Sequence, residues 1–373
     1  MRLVQKYGGS SLADVARIRA VAARVAASRR AGHEVVVVVS AMGNTTNELL
    51  ALARQVSGKP GRRELDMLIS VGERVTMALL AMALHELGVA ARSFTGSQSG
   101  IITDTSHASA RVVEVRPERI EAALQAGEVA IVAGFQGVSR EREVTTLGRG
   151  GSDTTAVVLA GALRADECEI CSDVDGIWSA DPRSVPAAVK LDALGLDEAL
   201  AMARNGARIL YEEAVGWAHR EGIQLRASRT EGAGSGTLVG REPQAGPAQV
   251  RAVVRDSDLL LAPASVLEAV EAPCVRAAGE WGVLLDVRNL HSEVPEAAPV
   301  ATVAVVGTAV GATPGILRAI LAAAKSQLGG NAVAWWAQHD AVVFLVNSSA
   351  APSLERHLHF SLIERAGISE ASC

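Results

Sequence analysis

Apolar and polar positions alternate in blocks along the first two thirds of the chain. Residues 3–7 predict a strand and 8–11 a loop. Residues 12–28, with apolar positions every three or four residues, predict a helix. Residues 35–39 are an unbroken valine run between Glu34 and Ser40, the pattern of a parallel strand buried on both faces. A long helical stretch follows over 65–87, a buried strand over 129–133, a helix over 154–163 and a strand over 169–172. This alternation predicts a parallel sheet covered by helices on both faces. Ligands of such sheets sit at the carboxyl ends of the strands, and most of the glycine-bearing loops here follow a strand.

The pattern changes over 230–249, where glycine, alanine and proline predict a linker or surface turn. Residues 250–294 hold strand-like pieces with little glycine punctuation. Residues 299–360 are more regular: strand (301–306), loop, helix (315–328), strand (333–338), strand (341–347), helix (351–357). That β-α-β-β-α order belongs to small ferredoxin-like regulatory modules. Residues 297–317 carry no charge and match a membrane span in length, but Pro299, Pro314, Gly307, Gly311 and Gly315 predict a strand, a loop and a helix start instead.

A chain of 373 residues suits two or three domains, and 49% apolar residues suffice for sizeable cores. The net charge of -5, with no basic patch and only 3% aromatics, argues against a nucleic-acid partner. The start, MRLVQKYGGSS, enters a strand and loop with no signal-peptide stretch, and no membrane association is expected. Cys168 and Cys171 form a C-x-x-C. A zinc site lacks its second pair of ligands, and Cys168 falls where a buried strand begins, so core thiols are the simpler reading. With Cys274 and Cys373, this usage suits a reducing cytoplasm.

Five loops carry polar groups in useful combinations. In KYGGSS (Lys6 to Ser11), adjacent glycines let backbone amides approach an anion, and the following helix points its positive end there. Lys6 can neutralise a transferring phosphoryl group; the alternative is a tight turn with a surface lysine. The spacing is not that of a Walker loop. After the valine run, Gly43 and the hydroxyls of Ser40 and Thr46 can bind a polar substrate or cap a helix. In SVGER, Glu73 lies on an otherwise buried stretch and needs a partner, either a substrate ammonium or Arg74. In TTLGRGGSDTTAV, Gly148, Gly150 and Gly151 expose amides, and Arg149 can grip a carboxylate through two parallel hydrogen bonds. Ser152 can cap the helix there, and Asp153, an anion at a helix start, can orient a lysine or a metal ion. In SDVDGIWSADPR, Trp178 offers a flat face for adenine, and Asp173 and Arg183 offer opposite charges for ribose and phosphate. A Ca²⁺ loop is not formed, because the later ligands are missing.

These loops, in this order, resemble the amino-acid kinase family and within it the aspartate kinases. KYGGSS, SAMGNTTNEL, SVGER, SFTGSQSGIITD, VAGFQGV, TTLGRGGSDTTAV and SDVDGIWSADPR carry the likeness, which covers residues 1–240 almost continuously. The resemblance implies an amino-acid kinase fold over 1–240, with a parallel-rich central sheet covered by helices. C-terminal α+β ACT-like, ferredoxin-like modules would follow: a shortened or eroded first one over 241–296 and a second over 297–373. It implies transfer of the γ-phosphoryl group of MgATP to the side-chain carboxylate of L-aspartate, giving 4-phospho-L-aspartate and ADP, the first step of lysine, threonine and methionine formation. Lys6, Arg149 and Asp153 would be catalytic, with Asp153 organising the lysine and no protein-held metal. Lys6, Gly8, Gly9, Ser10, Ser172, Asp173, Trp178, Asp181, Arg183 and Arg208 would hold ATP. Ser40, Thr46, Glu73, Arg149, Gly150, Gly151 and Ser152 would hold aspartate. Dimerisation through the ACT-like modules is expected. The other readings are a kinase for another small carboxylate and an inactive regulatory homologue.

The chain departs from that pattern in places. Ser10 and Ser172 stand where threonine is usual, Trp178 where tyrosine is, and Arg208 where lysine is. Tyr211, Glu212 and Glu213 replace a common H-P-R-like segment. The first ACT-like module lacks its usual glycine-bearing loop, which implies weak control by lysine or threonine and suits a copy serving a specialised pathway.

Overall fold

The structure, a computed structural model, describes residues 1–232, 234–240, 248–268, 274–289, 294, 296–329 and 332–365. Of the linker or surface turn predicted over 230–249, residues 237–240 are instead a strand within an eight-stranded sheet, and 233 and 241–247 lie outside the described residues, as does Cys373. The chain forms two compact units. The first comprises the described residues of Met1–Ile177, Asp192–Leu196 and Ile209–Glu242. The second comprises those of Trp178–Leu191, Asp197–Arg208 and Pro243–Cys373.

In chain order the strands begin with β1 (Arg2–Tyr7), β2 (Glu34–Val39), β3 (Ala91–Phe94), β4 (Ile101–Thr103), β5 (Val112–Val115), β6 (Val129–Ala133), β7 (Gln136–Ser139), β8 (Val144–Thr146) and β9 (Glu167–Ser172). There follow the short β10 (Ile177–Trp178) and β11 (Lys190–Leu191), then β12 (Ala193–Gly195), β13 (Leu225–Arg229) and β14 (Thr237–Gly240). The main sheet of the first unit has eight strands in the order β12-β14-β13-β9-β1-β2-β6-β3. β1 lies at its centre, paired parallel with β2 on one side and β9 on the other. The valine run is β2, buried from Val35 to Val39. A four-stranded sheet, β5-β4-β7-β8, belongs to the same unit.

Helices α1 (Val15–Arg30), α2 (Thr45–Val56), α3 (Arg62–Ile69), α4 (Val71–Glu86), α5 (Glu118–Gln125) and α6 (Gly151–Ala162) follow, then α7 (Leu196–Arg204) and α8 (Glu212–Glu221). The first helix starts later than its apolar spacing suggests, because Asp14 caps it, its carboxylate accepting the Arg17 N–H at 2.9 Å. The single helix expected over 65–87 is two, α3 and α4, broken at Ser70. Ser70 Oγ donates to the Met67 carbonyl at 3.1 Å, in competition with the backbone ladder, and the Ser70 carbonyl also accepts Gln136 Nε2 at 2.9 Å. Together, α3 and α4 are apolar and long enough to cross a membrane by composition alone. Their apolarity has a local use: Met77, Leu80, Ala81 and Leu84 pack with α1 residues and Tyr7 in one core. Cys168 and Cys171 sit three apart on β9, so strand alternation sends them to opposite faces. Both are buried, and burial pushes the Cys171 thiol up to about 12.

The second unit is built on β15 (Gln249–Ala262), β16 (Val275–Gly279), β17 (Gly282–Asp286), β18 (Ala298–Thr308), β19 (Ala334–Gln338) and β20 (Ala341–Asn347), with α9 (Pro314–Leu328) and α10 (Ala351–His359). From β18 the chain runs β-α-β-β-α, and the uncharged stretch over 297–317 is β18, a turn and the start of α9. All six strands share one sheet, β16-β17-β15-β18-β20-β19, in which β15 pairs along most of β18. Val253, Val303, Val305 and Phe344 form a core with Ile320 of α9 and Leu354 of α10. A second cluster joins Leu259, Leu284 and Leu345 to Trp281 and Trp336, whose rings stack at 5.9 Å.

Candidate active site

In the first unit, the loops after β1, β2, β6 and β9 emerge at one end of the sheet. Lys6 is the penultimate residue of β1, on the face opposite Tyr7. Its Nζ lies 2.5 Å from Asp153 Oδ1, with the lysine side chain 12% exposed and the aspartate 2%. Asp153 belongs to the first turn of α6, where the positive helix end favours a carboxylate. A lysine ammonium is thus fixed, nearly dehydrated, at the end of the central strand.

The glycines around this pair differ in what they permit. A Cβ at Gly9 would stand 2.9 Å from the Ala41 carbonyl, and Gly43 N–H donates to Gly9 O at 3.1 Å. The loops after β1 and β2 therefore interlock through bare backbone. Gly8 is less confined: its Cβ would reach Lys6 Nζ only at 3.5 Å. Ser10 is exposed, and its carbonyl accepts from Arg17. Ser11 Oγ meets Thr230 Oγ1 at 2.6 Å, and Thr230 N–H donates to Ser172 O at 2.8 Å, tying in the loops after β9 and β13.

Glu73, in the first turn of α4, is 3% exposed. Its Oε1 accepts the Ala41 N–H at 3.1 Å, while its buried Oε2 has no hydrogen-bond partner among the described residues. Burial pushes its carboxyl up to about 7. Arg74 is not its partner, since Arg74 Nε donates to Gln136 Oε1 at 3.3 Å. On the same loop as Ala41, Ser40 N–H donates to Tyr7 O at 3.1 Å, and Thr46 is half-buried in the first turn of α2.

β8 leads into the Gly148–Gly151 turn, where Arg149 is exposed. Gly150 adopts φ +73°, and a Cβ there would fall 2.2 Å from Tyr211 Cγ. Tyr211, from the segment that departs from the family pattern, therefore packs on the turn that carries Arg149. Beside it, burial raises the Glu213 carboxyl, with Arg111 pulling the other way. Gly151 is also tightly packed, its Cβ meeting Leu147 and Phe135 at 2.8 Å, whereas around Gly148 there is open space. Ser152 does not cap α6. Gly150 takes the cap position and Ser152 lies inside the first turn, close over Gly134, whose Cβ would come 2.8 Å from Ser152 Oγ. Gly150→Ala should destabilise the protein by about 3 kcal/mol in chemical denaturation, through left-handed strain and overlap with Tyr211.

Ser172 closes a turn after β9, its Oγ accepting the Val174 N–H at 3.1 Å, and Asp173 is exposed. The other expected nucleotide residues belong to the second unit. There, Trp178 packs with Ala180, Val185 and Ala188, Asp181 and Arg183 form a fork at 2.8 and 3.0 Å, and Arg208 pairs with Asp258 at 2.5 Å.

Asp66 escapes notice in the sequence. It is fully buried on α3, and its carboxylate accepts from Thr146 Oγ1 at 2.5 Å, from Ala108 N–H at 3.1 Å, and pairs with His107 Nδ1 at 2.6 Å. It thereby fastens β8, which leads to Arg149. The only hint is an acidic residue on an apolar helical stretch. Among the described residues, no three His, Cys, Asp or Glu side chains converge as a metal site.

Comparison with known proteins places this geometry. The model of the amino acid kinase family matches residues 1–226. Aspartokinases from Mycolicibacterium smegmatis and Corynebacterium glutamicum are 54% and 55% identical to the chain over 238 residues, which make up 64% of this chain and 56% of each relative. The match thus spans little more than half the length of those relatives. Among solved structures, the aspartate kinase from Synechocystis is 31% identical, with a TM-score of 0.60, over 97% of this chain and 69% of that one. Aspartokinase III of E. coli in complex with aspartate and ADP (R-state) aligns over 97% of this chain and 100% of that one, with a TM-score of 0.82. At 23% identity that likeness is one of fold alone.

Proposed function

The chain belongs to the amino acid kinase family, grouping there with the aspartokinases, and from that premise we propose that it transfers the γ-phosphoryl group of ATP to the side-chain carboxylate of L-aspartate. The products are 4-phospho-L-aspartate and ADP. The observation that carries the reading is the Lys6–Asp153 pair, a dehydrated ammonium held at the carboxyl end of the central parallel strand. The acceptor carboxylate is already a nucleophile, so the site needs no strong general base. Positioning and charge neutralisation suffice.

In this reading Lys6 stabilises the negative charge that builds on the transferring phosphoryl group, and Asp153 fixes its direction. The backbone at Gly8, Gly9 and Ser10 lies against phosphate oxygens, and Ser172 and Asp173 contact the nucleotide. By resemblance Trp178, Asp181, Arg183 and Arg208 do so too. Glu73 presents its unshared Oε2 to the substrate ammonium. Arg149 receives a carboxylate, assisted by Ser40, Thr46, Ser152 and the amides of the Gly150–Gly151 turn. Mg²⁺ would enter with ATP, bound by its phosphate oxygens and water rather than by a protein cage, and would supply charge neutralisation there.

Arg149→Ala should raise the aspartate KM roughly tenfold or more, as loss of a charged hydrogen bond does, and leave ATP KM close to the parent value. Steady-state kinetics with each substrate varied in turn would show it; a selective rise in ATP KM would move Arg149 to the nucleotide. The reaction itself is tested by ADP release from MgATP with and without L-aspartate, and with L-glutamate and N-acetylglutamate in its place. Turnover confined to aspartate supports the proposal, and silence on all three from a folded protein refutes it.

We further propose a cytoplasmic homo-oligomer joined through the second unit, whose sheet, among the described residues, has β16 and β19 at its edges, where two-fold pairing can occur. Feedback by lysine or threonine is proposed to be weak. Inhibition by either at sub-millimolar concentration in the same assay would overturn that.

A further inference from the structure

The turn that carries Trp178 and Arg183 is tied to α10 of the same unit. Ser179 is fully buried. Its N–H donates to Val189 O at 2.9 Å, and its carbonyl accepts the Val253 N–H of β15 at 2.7 Å. Its hydroxyl oxygen accepts the Val189 N–H at 2.9 Å and lies 2.9 Å from Nε2 of His359 on α10. His359 is also fully buried, with Nδ1 2.8 Å from Glu364 Oε1. A carboxylate only accepts, so in the neutral ring Nδ1 carries the proton and Nε2 receives the Ser179 hydroxyl proton. The chain of bonds is complete from Val189 to Glu364.

A second tie runs beside it. Glu355, one turn earlier on α10, is 1% exposed and lies 2.8 Å from Arg255 Nε of β15. The Ser184 hydroxyl, which donates to Asp181 O at 3.1 Å, lies beside Glu355. Arg255 also acts on Asp181, the partner of Arg183. Packing alone asks for none of this, since Leu354 and Leu358 already anchor α10 in the core. The first chain is satisfied throughout, while Glu355 Oε2 makes no hydrogen bond among the described residues and is held by the charge of Arg255; both ties lead to the residues flanking Trp178 and Arg183.

We propose that α10 sets the position of the Trp178–Arg183 turn, with His359 and Glu355 as positioning residues for nucleotide binding. The inference rests on the nucleotide role assigned above to that turn, and it makes ATP affinity depend on the far end of the chain.

The test compares the full-length parent with His359→Ala, His359→Gln, Glu355→Gln and Arg183→Ala. ATP KM, aspartate KM, MgADP affinity by calorimetry and the melting temperature are measured for each. His359→Ala should weaken MgADP and raise ATP KM roughly tenfold, the value of one buried hydrogen bond, with aspartate KM within about twofold of the parent. Glutamine can reach Ser179 as Nε2 does, so His359→Gln should recover most of the loss. Glu355→Gln should weaken MgADP in the same direction. ATP and aspartate KM rising together, a lowered melting temperature with unchanged MgADP affinity, or glutamine failing to rescue would each overturn the inference. If Arg183→Ala weakens MgADP and His359→Ala does not, the inference falls while the nucleotide role stands. If neither does, both fall. A parent that binds MgADP but shows no turnover with aspartate would refute the proposed reaction, and the calorimetry would still decide this point.

Discussion

Lys6→Ala should lower kcat by roughly two to three orders of magnitude with much smaller changes in either KM, as loss of one preorganised transition-state charge does. The argument is geometric. Lys6 is on the central strand, its side chain only 12% exposed, and Asp153 fixes its ammonium from the first turn of α6 at 2.5 Å. An ammonium held this way gains most when charge on the phosphoryl oxygens grows, so the effect belongs in kcat. The same substitution strands Asp153, buried and without its cation, which should cost about 3 kcal/mol of stability. Lys6→Ala combined with Asp153→Asn separates the two effects. The double variant should regain stability, measured by chemical denaturation, and stay inactive. A variant that lost ATP affinity but kept its kcat would make Lys6 a ground-state phosphate ligand.

Much of this arrangement is legible in the sequence, for identifiable reasons. A strand buried on both faces must be apolar throughout, so the valines of β2 announce it. The loops at the strand ends are legible because close backbone approach demands glycine at positions such as Gly9 and Gly150. The β-α-β-β-α order shows because its elements are local in sequence. What stays hidden is set by distant partners. Asp66 acquires its meaning from His107 and Thr146, 41 and 80 residues away. Whether Glu73 meets Arg74 or a ligand turns on Gln136, which takes the arginine. The helix start at Gly151 depends on the left-handed Gly150 beneath Tyr211, so Ser152, a good cap by composition, ends up inside the helix. Residues 178–191 and 197–208 interrupt a kinase-like sequence yet belong to the second unit, through contacts such as Val253 N–H to Ser179 O at 2.7 Å and Thr308 Oγ1 to Glu198 at 2.7 Å. No periodicity within either segment could announce those pairings.

Glu73→Gln should lower kcat/KM for aspartate about 100-fold at pH 8, the scale of a buried charge pair losing one member, and should flatten its pH dependence. The parent's Glu73 carboxyl is raised from 4.5 to about 7 by burial. Only its ionised form attracts the substrate ammonium, so the parent's kcat/KM should rise with pH up to about 7 and then level off. Stability should move the opposite way. Between pH 4.5 and about 7 the folded protein holds a proton on Glu73 that the unfolded chain has released, so rising pH favours unfolding over this window. Glutamine carries no such penalty. Glu73→Gln should therefore be the more stable protein above pH 7, by up to about 3 kcal/mol, and indistinguishable from the parent below about pH 4. Saturating aspartate should close the gap at high pH, because its ammonium supplies the charge that Oε2 lacks. A gap that aspartate leaves untouched would show that the ammonium binds elsewhere. Glu73 would then be a strained core carboxylate, and the selectivity for aspartate would have to rest on Arg149 and the turn around it.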